Sequence, residues 1–259
     1  MHNAFLIKIN NVLQLKQNIS NVIILSVINM KCDFVGYEKI SLVDFDGYLT
    51  ATIFSNGCNY RCPFCHNAPL VLEKAENSIF DEFLTYLKKR QRMLEAVCIT
   101  GGEPTLVPDL KEKIRKIKEF SLLVKLDTNG TNPQILKELI NENLLDYIAM
   151  DIKNSPTSYD ITCGVNNPLL DNIKESMMLL MSSNIPYEFR TTLVDEFHDE
   201  NSIKEIGIFL KGAKKLYLQK FVERDTCIKS GLHEVSKEKA LKYQDLLKNY
   251  IEEVNLRGY

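Results

Sequence analysis

Six short apolar runs, each followed by a longer amphipathic stretch, constrain the fold of this chain more than any other feature. The runs cover residues 48–54, 96–100, 122–127, 147–151, 187–193 and 215–219. Each is the length of a strand and apolar almost throughout, as strands buried on both faces are. The intervening stretches carry a helical period. Ser78 is placed to cap a helix reaching about 94, with Phe80, Phe83, Leu84 and Leu87 on one face. Leu110, Ile114 and Ile117 share a face in 108–119, and Ile135, Leu136, Leu139 and Ile140 in 133–142. Segments 167–182, 201–210 and 236–254 complete the helices, the last read as a packed surface helix. Six βα units with right-handed crossovers give a parallel sheet. The class is α/β, either doubly wound or an incomplete (β/α)6 TIM-type barrel. In both, chemistry belongs at the carboxyl ends of the strands.

No Pro/Gly/Ser-rich linker, repeat or low-complexity tract divides residues 30–259, so they read as one domain. Residues 1–29 differ: they hold no Asp or Glu, six Asn, and only Lys8 and Lys16 as charges. They read as a poorly ordered N-terminal extension. The apolar run 22–28 lacks a following small-residue cleavage site, which argues against a signal peptide. No run approaches the length of a membrane span. A net charge of −2 offers no electrostatic footprint for nucleic acid.

Seven cysteines are present, an odd number in a long chain, which disfavours a disulfide scaffold and points to a reducing compartment, the cytoplasm. Cys58, Cys62 and Cys65 form a CxxxCxxC cluster directly after the first run. Three thiolates on one loop can hold three corners of a 4Fe–4S cubane, which takes four ligands when fully ligated. Cys98, the next cysteine, lies inside an apolar run and reads as an inert core thiol. One iron would then stay open to a non-protein ligand. A zinc site of the three cysteines plus His66 is the alternative, though adjacent Cys65 and His66 chelate awkwardly. Cys163 and Cys227 fall in loops, and His198 and His233 have no evident partner.

The stretch Gly57-Cys58-Asn59-Tyr60-Arg61-Cys62-Pro63-Phe64-Cys65-His66-Asn67 resembles the radical S-adenosylmethionine (SAM) superfamily, and within it the activating enzymes of glycyl-radical proteins. The upstream stretch 40–47 looks closest to the activating proteins of anaerobic ribonucleoside-triphosphate reductase. The family usually has Pro where Asp46 stands. The resemblance runs from about Val35 to about Val222 and implies the incomplete barrel. It also implies that Cys58, Cys62 and Cys65 ligate the cluster and that SAM binds the open iron.

Other motifs gain meaning beside that cluster. Gly101-Gly102-Glu103-Pro104 ends the second run; its glycines allow a tight turn and a close approach to the backbone. It resembles the family motif for the amino group of SAM. Asp127-Thr128-Asn129-Gly130 ends the third run and Asp151-Ile152-Lys153 the fourth. Read alone, these are an Asn-Gly turn and an exposed ion pair. The resemblance instead places Asp127, Thr128 and Asp151 near the SAM carboxylate and a monovalent cation, with Lys153 beside them in no firm role. Arg190 sits in the fifth run and needs a carboxylate partner, either a core acid or, as the resemblance favours, the SAM subsite. Phe64 either stacks near the adenine or packs the loop.

The implied activity is reductive cleavage of SAM to methionine and a 5′-deoxyadenosyl radical, which removes a hydrogen atom from a backbone glycine of a partner. The partner implied is anaerobic ribonucleotide reductase, with flavodoxin or ferredoxin as electron donor. No residue is assigned as general acid or base. Alternatives are a radical SAM enzyme for a pyruvate formate-lyase type partner, or for a small molecule, peptide or RNA. A non-catalytic iron–sulfur or zinc module is the reading from another class.

Overall fold

The computed structural model describes residues 32–73 and 77–259. The expectation for residues 1–29 lies outside them. Cys32–Tyr259 forms one compact unit.

Eight strands make one sheet in sequence order. β1 (Phe34–Ser41) runs antiparallel to β2 (Thr50–Ser55). Every later neighbour is parallel: β3 (Ala96–Gly101), β4 (Leu123–Thr128), β5 (Tyr147–Asp151), β6 (Tyr187–Leu193), β7 (Lys215–Lys220) and β8 (Glu253–Arg257). A strand order that never reverses excludes the doubly wound alternative, which needs a switch point. With right-handed crossovers, the helices that connect successive parallel strands lie on one face and the sheet curls away from them. The curl is visible at its ends. Arg257 in β8 meets Asp46, in the β1–β2 loop, at 3.2 Å. That loop tucks under the sheet, its Phe45 ring 5.5 Å from Tyr147 of β5. The fold is the partial barrel.

The two faces of the sheet carry different chemistry. On the helix side Ile53, Ile99, Leu126, Ile148, Phe189 and Leu216 are fully buried. Strand alternation puts their neighbours on the concave side. There Thr52, Cys98, Lys125 and Tyr147 stand in register across four strands, and Asp151 beside Arg190.

The principal helices are α1 (Ala68–Leu72), α2 (Phe80–Arg90), α3 (Leu110–Lys118), α4 (Pro133–Asn141), α5 (Tyr159–Cys163), α6 (Leu170–Ser182), α7 (Glu200–Phe209) and α8 (Lys237–Leu247). Four expectations are corrected. The α2 cap is Ile79; Ser78, one residue before it, accepts from Phe80 N–H at 3.4 Å and donates to Asp33 at 2.8 Å. The segment 236–254 is not one helix: α8 stops at Leu247, and β8 follows because Val254 and Leu256 alternate with polar residues, a period of two. β1 was not expected; Gly36 and the exposed Glu38-Lys39 weaken its strand pattern. Cys163 ends a short helix rather than lying in a loop, and it is fully buried. Among the described residues no helix is long and apolar enough to cross a membrane.

Candidate active site

The loop after β2 carries the three clustered cysteines and has no regular structure of its own. Backbone hydrogen bonds from separate elements hold it. The Gly57 carbonyl accepts from Glu103 N–H at 2.8 Å, Arg61 N–H donates to Cys163 at 2.8 Å, and Lys229 and Ile228 N–H donate to Pro63 and Cys65 at 2.8 and 3.2 Å. The glycines of the Gly101-Gly102 turn serve this contact. A Cβ on Gly102 would stand 1.9 Å from the Gly57 carbonyl oxygen, and one on Gly101, at φ +115°, 2.4 Å from that of Ser55. The close approach expected of these glycines is therefore to the chain's own backbone.

All three thiols are free. Cys62 is buried, and Cys58 and Cys65 are half-buried. Burial first, and the Glu103 carboxylate second, push the Cys58 thiol up to about 12. Burial also raises Cys62 and Cys65. Cys58 and Cys65 raise Cys62 further, while the Lys153 ammonium works against the rise. These are buried thiols near one another and near a cation, a donor set suited to deprotonation by a metal. Among the described residues no three Cys, His, Asp or Glu side chains converge on a single-ion site, so the zinc alternative with His66 is not assembled. A cubane takes one thiolate for each iron it binds, and three free thiols on one loop are the donor chemistry that suits it.

Beside the loop stands a network of alternating charges on the concave face. Arg190 (β6) binds Asp127 (β4) at 3.0 Å and Asp151 (β5) at 2.9 Å. Lys125 reaches Asp127 at 3.2 Å and Lys153 reaches Asp151 at 2.8 Å. Asp127 Oδ1 is buried and has no hydrogen bond, only the Lys125 ammonium. Burial acts to raise Asp151, but Arg190 and Lys153 outweigh it and bring it down to about 2. Asp127 is lowered by Arg190 and Lys125 against the same burial. Lys153 is raised above its ordinary value: burial opposes, but Asp151 and then Cys62 prevail. Two expectations for Arg190 thus merge, because the acids it pairs with are themselves site candidates. The Asp151–Lys153 pair, which reads as exposed in sequence, is 27 and 17 % exposed.

Glu103 is 1 % exposed, and its carboxylate is a hub. It accepts from Thr105 N–H and Oγ1 at 3.1 and 2.6 Å, from Thr128 Oγ1 at 2.7 Å and from Asn129 N–H at 2.7 Å. Burial still raises it, against those bonds. Glu103 and Thr128 therefore join the ends of β3 and β4. A closed set of side-chain bonds ties the same turn to the cysteine loop. Asn129 donates to Asn59 at 2.8 Å, Asn59 to Thr131 at 2.9 Å, and Thr131 back to Asn129 at 2.7 Å. Phe64 is buried, its ring 6.2 Å from Phe197 and 6.4 Å from Phe221.

Sequence reasoning missed Lys125, Asn59, Thr131 and the partners of His198 and His233. Lys125 was legible: it stands two residues before Asp127 in a strand and so shares its face. The partners of Asn59 come from distant segments and leave no local signal. His233 pairs with Glu196 at 2.6 Å, and His198 is buried between Val194 and Lys153.

The profile of the Radical SAM superfamily matches residues 52–206, more than half of the chain. A protein of Methanocaldococcus jannaschii named "Putative glycyl-radical enzyme activating enzyme" is 34 % identical over 200 residues, covering 76 % of this chain and 82 % of its own. The pyruvate formate-lyase-activating enzyme of Listeria monocytogenes is 29 % identical over 147 residues, 52 % of this chain and 59 % of that one. Among solved structures, Streptococcus suis SuiB superposes with a TM-score of 0.60 at 13 % identity, covering 77 % of this chain and 47 % of that one. An anSMEcpe structure with bound AdoMet gives 0.53 at 18 %, covering 78 and 62 %. The family implies a 4Fe–4S cluster and SAM. The chain belongs to the radical SAM superfamily and is a radical SAM enzyme.

Proposed function

We propose that this chain is an activase that installs a glycyl radical on a partner enzyme, anaerobic ribonucleoside-triphosphate reductase, in the cytoplasm, with a flavodoxin or ferredoxin as electron donor. One observation carries the reading: Asn59 of the cysteine loop is hydrogen-bonded to Asn129 at 2.8 Å and to Thr131 at 2.9 Å, in the turn that directly follows Asp127 of the charge network. The likeness to the Methanocaldococcus jannaschii protein, over four-fifths of its length, supports the glycyl-radical class. The reductase as partner rests on the 40–47 stretch.

Cys58, Cys62 and Cys65 would hold three irons, leaving one for the amino and carboxylate groups of SAM. When bound, the cluster supplies the electron that splits the SAM sulfonium. The protein's part is placement. Asp151, Lys153 and Arg190 present charge for the methionyl end. Gly101, Gly102 and Glu103 shape the β3 edge of the site. Glu103 and Thr128 act chiefly by fixing the turn that carries Asp127. Asp127 and Asp151 would be the acids near a monovalent cation, although Asp127 Oδ1 already faces the Lys125 ammonium at 3.2 Å. Phe64 closes the loop under the adenine side. No proton transfer by a side chain is required, and none is assigned.

The test is anaerobic electron paramagnetic resonance on reconstituted protein, SAM, a reductant and the host reductase. A glycyl-radical doublet that requires all components supports the proposal. 5′-Deoxyadenosine without a doublet moves the search to another substrate.

A further inference from the structure

Lys153 leaves the end of β5, where a strand-end residue has no ladder partner to fix it. Both sides of its peptide are nevertheless held, by two buried side chains from distant elements. Its N–H donates to Tyr159 Oη at 3.1 Å. Its carbonyl is 3.0 Å from His198 Nε2. His198 Nδ1 faces Val194 N–H at 3.0 Å and the Val194 carbonyl at 3.1 Å; the Lys153 carbonyl can only accept, so Nε2 is the donor to it. Tyr159 is fully buried and His198 is 1 % exposed. The next residue repeats the arrangement: Asn154 Nδ2 donates to the Phe197 carbonyl at 2.8 Å and to Thr162 at 2.9 Å.

Each anchor is also coupled to the cysteine loop through an aromatic residue lying between two cysteines. The Tyr159 ring stands 6.4 Å from Tyr60, between Cys58 and Cys62. Phe197, beside His198, stands 6.2 Å from Phe64, between Cys62 and Cys65. Tyr243 of α8 completes the hold, donating to the His198 carbonyl at 2.9 Å.

We propose that Tyr159 and His198 are positioning residues that set the Lys153 ammonium against the cysteine loop, so that a shift of that loop and a shift of Lys153 are mechanically one event. Neither touches the reacting atoms. The SAM-binding consequence rests on the role given to Lys153 under Proposed function; the mechanical part does not.

The experiment uses the full chain with His198→Leu, His198→Gln and Tyr159→Phe. Amide hydrogen exchange is read first, on protein without cluster. Loss of one buried hydrogen bond is expected to speed exchange about tenfold at residues 153–155 and, with them, at Arg61 and Cys65 of the cysteine loop, in His198→Leu and in Tyr159→Phe, with β4 amides unchanged; faster exchange at 153–155 with the loop amides unchanged overturns the coupling. His198→Gln keeps a donor and is expected to stay within about threefold of the wild type. SAM affinity of the cluster-loaded protein is read second. It is expected to fall about tenfold in His198→Leu at unchanged iron content, and to return in His198→Gln. Unchanged exchange at 153–155 in both His198→Leu and Tyr159→Phe overturns the proposal, as does a uniform rise across the sheet. Faster local exchange with unchanged SAM affinity overturns the positioning role. Lys153→Ala separates the two readings: if it binds SAM normally, the assignment of Lys153 fails, while the exchange result still decides the coupling.

Discussion

The two faces of the one sheet carry opposite chemistry, one apolar and one charged. On the helix side, β6 offers Phe189 to an apolar layer. One residue on, at the concave side, it offers Arg190 to two carboxylates. The helix face holds the barrel together through apolar area removed from water, at about 25 cal/mol per Å². The concave face holds charges that would be costly alone and are kept because they answer one another. Stability and chemistry are thus assigned to alternate residues of the same strands, and substitutions on the two faces should differ in kind.

The largest expected effect falls at the cysteine loop. Cys62→Ala removes one of the three proposed cluster ligands and is expected to abolish SAM cleavage, with 5′-deoxyadenosine at background in an anaerobic assay, while the fold survives. Substitution on the helix face should do the reverse. Phe189→Ala leaves a cavity in the core and is expected to cost about 3–5 kcal/mol in urea unfolding, equally at all pH values.

Asp151→Asn sharpens the contrast. It leaves Arg190 and Lys153 short of a charge and should cost a few kcal/mol, about 3, at pH 7. The folded pKa of Asp151 lies below its unfolded value of roughly 4, so the carboxylate contributes stability above that value and loses it as pH falls through about 2. The gap between variant and wild type is therefore expected to close between about pH 4 and 2, whereas that for Phe189→Ala persists. Smallest is Asp46→Ala. Asp46 is 71 % exposed and Arg257 keeps Glu188 at 3.0 Å, so the loss should stay within about 1 kcal/mol by the same assay. A much larger loss would show that the β1–β2 loop, not the helix face, holds the barrel shut.

Much of this was legible in sequence for a physical reason. The apolar runs mark six of the strands because parallel strands covered on both sides stay apolar over most of their length. The cysteine spacing marks the loop because its three thiols are local in sequence. β1 and β8 escaped because edge strands carry polar residues and the helical period of α8 masks the alternation at Val254 and Leu256. The roles of Glu103 and His198 escaped because they are defined by partners from other elements: Glu103 reads as a ligand-facing carboxylate, yet four donors from the chain itself meet it.

The account stands most directly on metal content and turnover of the anaerobically reconstituted full chain, measured together. It expects about four irons with matching sulfide per chain and 5′-deoxyadenosine formed from SAM on reduction. A single zinc per chain, or an intact four-iron cluster that leaves SAM uncleaved under reductant, would contradict it.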